Sequence, residues 1–211
     1  DMCGISGITN KNVTIVEKMT DITCHRGPDD RGIYEDEKIT LGHSRLSIQD
    51  LSDAGHQPMV SSSGRYVIVY NGEIYNFRRL KNEIDSNYFK SISDTEVILE
   101  LFEKFGIESI SKLSGIYAFA IWDKKEKKLI LSRDKQGVKP LYYSIKNDDL
   151  IFCSELKSIF LHTGSKKINL SALNSFFKFG YVTGEQTILE GIYKVMPGQT
   201  LTFKNKVLEK F

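Results

Sequence analysis

The chain has 211 residues, 40% of them hydrophobic and 27% charged, with a net charge of +2 at pH 7. That length supports one large domain or two small ones around a real core, and its scattered lysines and arginines form no basic stripe for nucleic acid. No apolar run approaches a membrane span and no signal peptide precedes the first cysteine. Three cysteines, Cys3, Cys24 and Cys153, are too few for a disulfide framework and have no zinc-type spacing, so the chain reads as cytoplasmic.

Cys3 to Ile8 reads as a short strand. Ile15, Val16, Met19 and Ile22 recur at helical spacing. Residues 25–32 (His-Arg-Gly-Pro-Asp-Asp-Arg-Gly) form a loop rich in turn residues. Strands are predicted at Gly32–Tyr34, Ile39–Leu46 and Tyr66–Tyr70, with an irregular stretch from Ser47 to Ser63. Phe77, Leu80 and Ile84 make one helix face; Val97, Ile98, Leu101, Phe102 and Phe105 make another. Ser93-Asp94-Thr95-Glu96 resembles a capping box before the second helix, and Gly106 ends it. Ile107, Ile110 and Leu113 mark a further short turn. Gly115–Trp122 is almost continuously apolar, which predicts a strand covered on both faces. The lysine-rich turn at 123–128 returns it as Leu129–Arg133, and Tyr142–Ile145 pairs with Leu150–Cys153. Clustered helices and antiparallel hairpins give an α+β chain, with two packed sheets and helices outside.

Four places carry chemistry. Cys3 follows Asp1 and Met2. Asp1 reads as an added residue or altered start and Met2 as the natural initiator, whose removal before a small residue exposes Cys3. The residue then carries a thiol and an α-amine on one carbon, a nucleophile beside a base that titrates near about 7.7–8.0. The plainer reading of Cys3 is a small buried residue in the first strand. Asn71-Gly72 is a strong hairpin signal, but a helix follows rather than a strand. An Asn amide beside a glycine N–H also provides two donors for an oxyanion. Arg45, at a strand end, can grip a carboxylate bidentately or form a surface ion pair. Asp94 can cap a helix or anchor an ammonium, and Glu73 can assist it or stay exposed. The four histidines are read as structural. A thiol, an oxyanion hole, a carboxylate clamp and an ammonium anchor together suit L-glutamine.

Several longer segments carry a resemblance: residues 2–7 (Met-Cys-Gly-Ile-Ser-Gly), 26–30 (Arg-Gly-Pro-Asp-Asp), 43–48 (His-Ser-Arg-Leu-Ser-Ile) and 70–76 (Tyr-Asn-Gly-Glu-Ile-Tyr-Asn). They are joined by Ser93–Glu96, Tyr117–Asp123, Ser132–Asp134 and Lys139–Tyr143. In this order they resemble the class II glutamine amidotransferase domain of glutamine-dependent asparagine synthetases. Relatives that make glucosamine phosphate or phosphoribosylamine differ at these places. The resemblance implies a four-layer αββα N-terminal nucleophile fold over residues 2–211. It also implies Cys3 as nucleophile and base, Asn71 and Gly72 as oxyanion donors, Arg45 for the α-carboxylate, Asp94 with Glu73 for the α-ammonium, and backbone near Leu46 and Ile48 as pocket wall. It implies no cofactor in this domain; ATP and Mg2+ belong to a C-terminal synthetase domain, the partner that would take the ammonia. The expected acceptor is aspartate, with a sugar acid or antibiotic precursor as alternative. No Ser-Gly-Gly pyrophosphate loop occurs here, so the chain reads as the glutaminase half alone. No nucleic-acid or membrane partner is expected, and a homodimer is left open. Two departures from the family stand out: Lys135-Gln136-Gly137 lacks an aromatic before the glycine, and Ser44 stands where a larger residue is usual.

Overall fold

The computed structural model describes residues 2–47, 52–84, 89–164 and 167–211. Strands β1 (Gly4–Ile8), β2 (Asp30–Glu35) and β3 (Thr40–Arg45) join β8 (Tyr142–Lys146), β9 (Asp149–Cys153) and β10 (Tyr193–Lys194) in one antiparallel sheet, ordered β10-β8-β9-β1-β3-β2. Strands β4 (Met59–Val60), β5 (Tyr66–Ile74), β6 (Gly115–Asp123), β7 (Lys128–Arg133), β11 (Thr200–Lys204) and β12 (Val207–Lys210) form the second, ordered β12-β11-β7-β6-β5-β4.

Strand residues alternate between faces, and that alternation builds the layers. In β6, Ala118, Ala120 and Trp122 enter the core between the sheets, while Tyr117, Phe119 and Ile121 enter a second core on the opposite face. The unbroken apolar run is therefore a strand buried on both sides, as predicted. In β5, Val67 and Val69 turn inward, and Tyr66, Ile68, Tyr70 and Ile74 turn outward beneath α2 (Phe77–Lys81) and α3 (Asp94–Phe105). On the first sheet, Ile8, Ile151 and Cys153 face outward against Val16 and Met19 of α1 (Val13–Ile22) and Ile159 of α4 (Leu156–Thr163). The result is helix, sheet, sheet, helix: the αββα arrangement that the resemblance implies. A further helix, α5 (Leu170–Phe179), leaves Phe176, Phe177 and Phe179 exposed.

Several local expectations change. Asn71-Gly72 is not a turn: β5 runs on to Ile74, with Asn71 opposite Ala118 and Gly72 opposite Tyr117. The glycine is demanded by this packing, since a Cβ on Gly72 would lie 2.3 Å from the Ile116 carbonyl oxygen and 2.7 Å from Tyr117 Cα. Residues 30–32, expected in a loop, already pair with β3. The helix begun at Phe77 stops at Lys81. The capping box is half made: Ser93 accepts the Glu96 N–H at 3.4 Å, but the Glu96 carboxylate turns to the Lys90 and Ser91 N–H groups instead of Ser93. Asp94 is consequently the first helical residue rather than the cap, which frees its carboxylate for other partners.

Candidate active site

The inward faces of three strands run out at the same end of the sandwich. Cys3 immediately precedes β1 and continues the inward set of Ile5 and Gly7, whose Cβ position abuts Phe152 and Leu41. The β1–β3 register pairs Gly4 with Ser44, so Cys3 comes opposite Arg45, which follows Leu41 and His43 on the inward face of β3. From the other sheet, the inward run Val67, Val69 reaches Asn71. Cys3, Arg45, Leu46, Asn71, Gly72 and Asp94 all line one open cleft of about 90 Å³.

Asp94 arrives from the helix layer. Tyr70 points outward from β5, as its parity requires, and its hydroxyl donates to Asp94 Oδ2 at 2.7 Å. The Ile74 N–H donates to the same oxygen at 2.8 Å. Gln57 ties the junction, accepting the Tyr70 N–H at 2.7 Å and donating to Thr95 Oγ1 at 3.3 Å. Burial pushes the Asp94 carboxyl above its usual range, and nearby Glu73 adds to that; the Tyr70, Ile74 and Thr95 donors oppose it. Burial beside Asp94 holds the Tyr70 phenol well above its ordinary pKa.

Cys3 Sγ accepts the Leu46 N–H at 3.4 Å and lies 3.7 Å from the Leu46 carbonyl oxygen. Burial raises its thiol pKa, and the Leu46 N–H, Arg45, Lys139 and Arg26 counteract that rise. Arg26 donates from Nε to the Cys3 carbonyl at 3.0 Å and touches Met2 Sδ from Nη2 at 3.6 Å. Arg45 Nη1 donates to the Ser52 carbonyl at 3.2 Å and lies 3.9 Å from Asp30 Oδ2. Asn71 is 1% exposed, and its Nδ2 is buried with no hydrogen-bond partner among the described residues. Unpaired buried donors are uncommon and call for an explanation. This one belongs to a cleft-lining residue, and a thiol, a guanidinium and a buried carboxylate line the same cleft.

Glu73 is exposed near the end of β5 and does not line the cleft. Ile48 lies outside the described residues. Gln57, Thr95 and Lys139 line the cleft without having been singled out in the sequence, and Met2, read there as the initiator, lines it too. Lys139 stood inside a matching segment, but its approach to Cys3 depends on the β7–β8 connection. His43 is fully buried and donates from Nε2 to the Tyr70 carbonyl at 3.0 Å, bridging the sheets. Tyr70 O can only accept, so the proton sits on Nε2; Nδ1 has no partner, and burial lowers the ring's pKa to about 4. Among the described residues no helix is long and apolar enough to cross a membrane, and no group of three His, Cys, Asp or Glu is placed to hold a metal ion.

Residues 2–210 match the family model described as glutamine amidotransferase domain. Asparagine synthetase [glutamine-hydrolyzing] 1 of Bacillus subtilis is 37% identical over 213 residues, covering 96% of this chain and 34% of its own length. Putative asparagine synthetase [glutamine-hydrolyzing] 2 of Methanocaldococcus jannaschii is 37% identical over 96% of this chain and 44% of its own length. The chain thus spans less than half the length of these curated relatives. Among solved structures, the glutamine phosphoribosylpyrophosphate amidotransferase of B. subtilis superposes with a TM-score of 0.72 at 21% identity, over 99% of this chain and 49% of that one; the likeness establishes a shared fold. By sequence and by fold, the chain belongs to the glutamine amidotransferase domain family.

Proposed function

We propose that residues 2–211 form a glutaminase unit that cleaves the side-chain amide of L-glutamine through a thioester on Cys3. Arg45 takes the substrate α-carboxylate in a charge-assisted pair. Asp94 takes the α-ammonium, with the exposed Glu73 adding negative charge, and the backbone at Leu46 borders the chain of the substrate. The γ-carboxamide carbon then meets Cys3 Sγ. Sulfur forms a bond to that carbon and the carbonyl π electrons move to oxygen, where Asn71 Nδ2–H and the Gly72 N–H donate. The thiol proton passes through the Cys3 α-amine to the leaving nitrogen, and ammonia departs. Water adds to the thioester, releasing glutamate and restoring the thiol.

The observation that carries this reading is the unpartnered Asn71 amide on the same cleft as Cys3, Arg45 and Asp94. The α-amine step requires cleavage of the Met2–Cys3 peptide bond, because an amide nitrogen has neither basicity nor charge. The test compares glutamate release from glutamine by protein beginning at Cys3 with its Cys3→Ala variant; equal rates would sink the assignment. Met2 itself lines the cleft, which favours a second reading for chain that retains it: glutamine binding without turnover, visible as calorimetric binding with no ammonia formed.

The names of the relatives support aspartate as the final acceptor, amidated to asparagine by an ATP- and Mg2+-dependent synthetase domain in the cytoplasm. Asparagine formed from aspartate, glutamine and ATP by a protein that joins this unit to such a domain tests that step. Failure there, with glutamine hydrolysis intact, would move the acceptor to another carboxylate.

A further inference from the structure

The cleft holds one cation to which the glutaminase reading gives no task. Lys139 lies on the connection between β7 and β8, is 9% exposed, and lines the cleft with Cys3 and Arg45. The connection is built around it. Fully buried Asp134 accepts the N–H groups of Gln136 and Val138 on Oδ1 at 3.1 and 3.0 Å, and that of Lys139 on Oδ2 at 3.1 Å. The Arg133 guanidinium donates to the carbonyls of Lys139, Gly137 and Val195 at 2.7, 2.6 and 2.7 Å. Both backbone polar groups of Lys139 are therefore fixed by charged side chains, the fully buried Asp134 and the partly buried Arg133. Its ammonium makes no hydrogen bond or ion pair to another described residue; burial and Arg26 lower its pKa, and the charges of Cys3, Asp134 and Glu73 oppose that only in part. An unpaired ammonium held in a buried position is costly, and a surface lysine needs no such cradle.

The groups around Cys3 decide what that charge can do. Arg45 approaches from β3, Arg26 from the turn after α1, and Lys139 from the β7–β8 connection. On the anionic side stand Asp94 from α3 and Glu73 from β5, with the Tyr70 phenol beside them. Arg26 is offset by Glu155 at 3.5 Å and Arg45 by Asp30 at 3.9 Å. In the proposed complex, Arg45 is further neutralised by the substrate carboxylate. Lys139 is the cation of the three without an ion-pair partner among the described residues. Resting on the reading of Cys3 as nucleophile, we propose that Lys139 is an electrostatic positioning residue whose ammonium stabilises negative charge on the Cys3 sulfur and keeps it ready to attack.

The test needs no glutamine. Iodoacetamide alkylation is followed from pH 6 to 10, and each cysteine is read separately by peptide mass spectrometry. Exposed Cys24 is the reactivity control, and fully buried Cys153 reports folding. Lys139→Met is expected to raise the apparent Cys3 pKa by about 0.5–1 unit, slowing its alkylation at pH 7 roughly three- to tenfold. Lys139→Arg restores the wild-type curve, Cys24 is unchanged and Cys153 stays protected. A Cys3 curve unmoved in Lys139→Met with Cys153 protected overturns the proposal. If that variant exposes Cys153, the same rule is applied to Lys139→Gln. Glutamate release measured in parallel separates the two readings. A Cys3 curve shifted in Lys139→Met, with no glutamate released by the wild-type protein, supports the Lys139 role and counts against the glutaminase; an unmoved curve beside normal wild-type release overturns the Lys139 role alone.

Discussion

Replacing Asn71 with leucine sets catalysis and stability in opposite directions. The side chain is 1% exposed and its Nδ2 has no hydrogen-bond partner among the described residues. A buried donor left unsatisfied costs about 1–3 kcal/mol. Leucine has a similar volume and would extend the inward apolar run of Val67 and Val69. The variant should therefore be as stable as the parent, or more stable by up to that amount. For a chain of this size, about 2–4 °C per kcal/mol sets the expected rise in Tm at up to about 12 °C. Turnover should move the other way. Loss of one oxyanion donor costs roughly 10²–10³ in kcat, or about 2.7–4 kcal/mol. KM should change little, because Arg45 and Asp94 remain. Steady-state glutamate release by Cys3-start protein gives kcat and KM, and thermal unfolding followed by circular dichroism gives Tm. A kcat within about threefold of the parent refutes the oxyanion role. A fall in Tm together with kcat would show that Asn71 holds structure instead.

Arg45→Met should raise KM about ten- to a hundredfold, the equivalent of about 1.4–2.7 kcal/mol, with a smaller change in kcat; an unchanged KM would remove Arg45 from the carboxylate site. Asp94→Asn keeps an oxygen for the Tyr70 hydroxyl and Ile74 N–H, so it should stay folded while KM rises, and calorimetry should show weaker glutamine binding. Phe119→Ala, at a fully buried position in β6, should lose about 3–5 kcal/mol in urea unfolding and report on the core without touching the cleft. His43 titrates at about 4 when folded against about 6.5 unfolded. Its depressed pKa gives stability that is complete above pH 6.5 and is lost as pH falls through 4. That contribution is about 3 kcal/mol by pH 4. His43→Gln retains a donor for the Tyr70 carbonyl, so its loss of stability between pH 7 and 4 should be smaller than that of wild type by about this amount; parallel pH curves would contradict it.

What was legible in the sequence follows from the range over which each signal acts. The apolar run at 115–122 identified a strand buried on both faces because each residue reports its own surroundings. Parity then carries that information outward. Inward Ile5 and Gly7 predict inward Cys3, and inward Val67 and Val69 predict inward Asn71. The local turn signal of Asn-Gly failed because β6 supplies nine consecutive partners for β5, and a sheet partner far along the chain outweighs a two-residue preference. The same limit hid the α4–α5 region and β11–β12. The aromatics of α5 are largely exposed, so their spacing does not trace a core-facing stripe, and β12 is a short edge strand. The site divides along this line. Which groups are present could be read from Cys3, Arg45, Asn71 and Asp94, because those residue types carry their chemistry with them. How those groups are poised could not be read. The unpaired Asn71 amide, the Asp94 carboxylate turned back to β5 and the Lys139 ammonium each depend on partners distant in sequence. Asp94 illustrates the point: a helix-start signal correctly located it, yet the partners that orient its carboxylate, Tyr70 and Ile74, lie twenty or more residues earlier. Family motifs compensate because they record such distant partners together. Even so, a motif gives Lys139 only a place in the chain, and the cradle of Asp134 and Arg133 is what fixes its backbone beside the cleft that Cys3 lines.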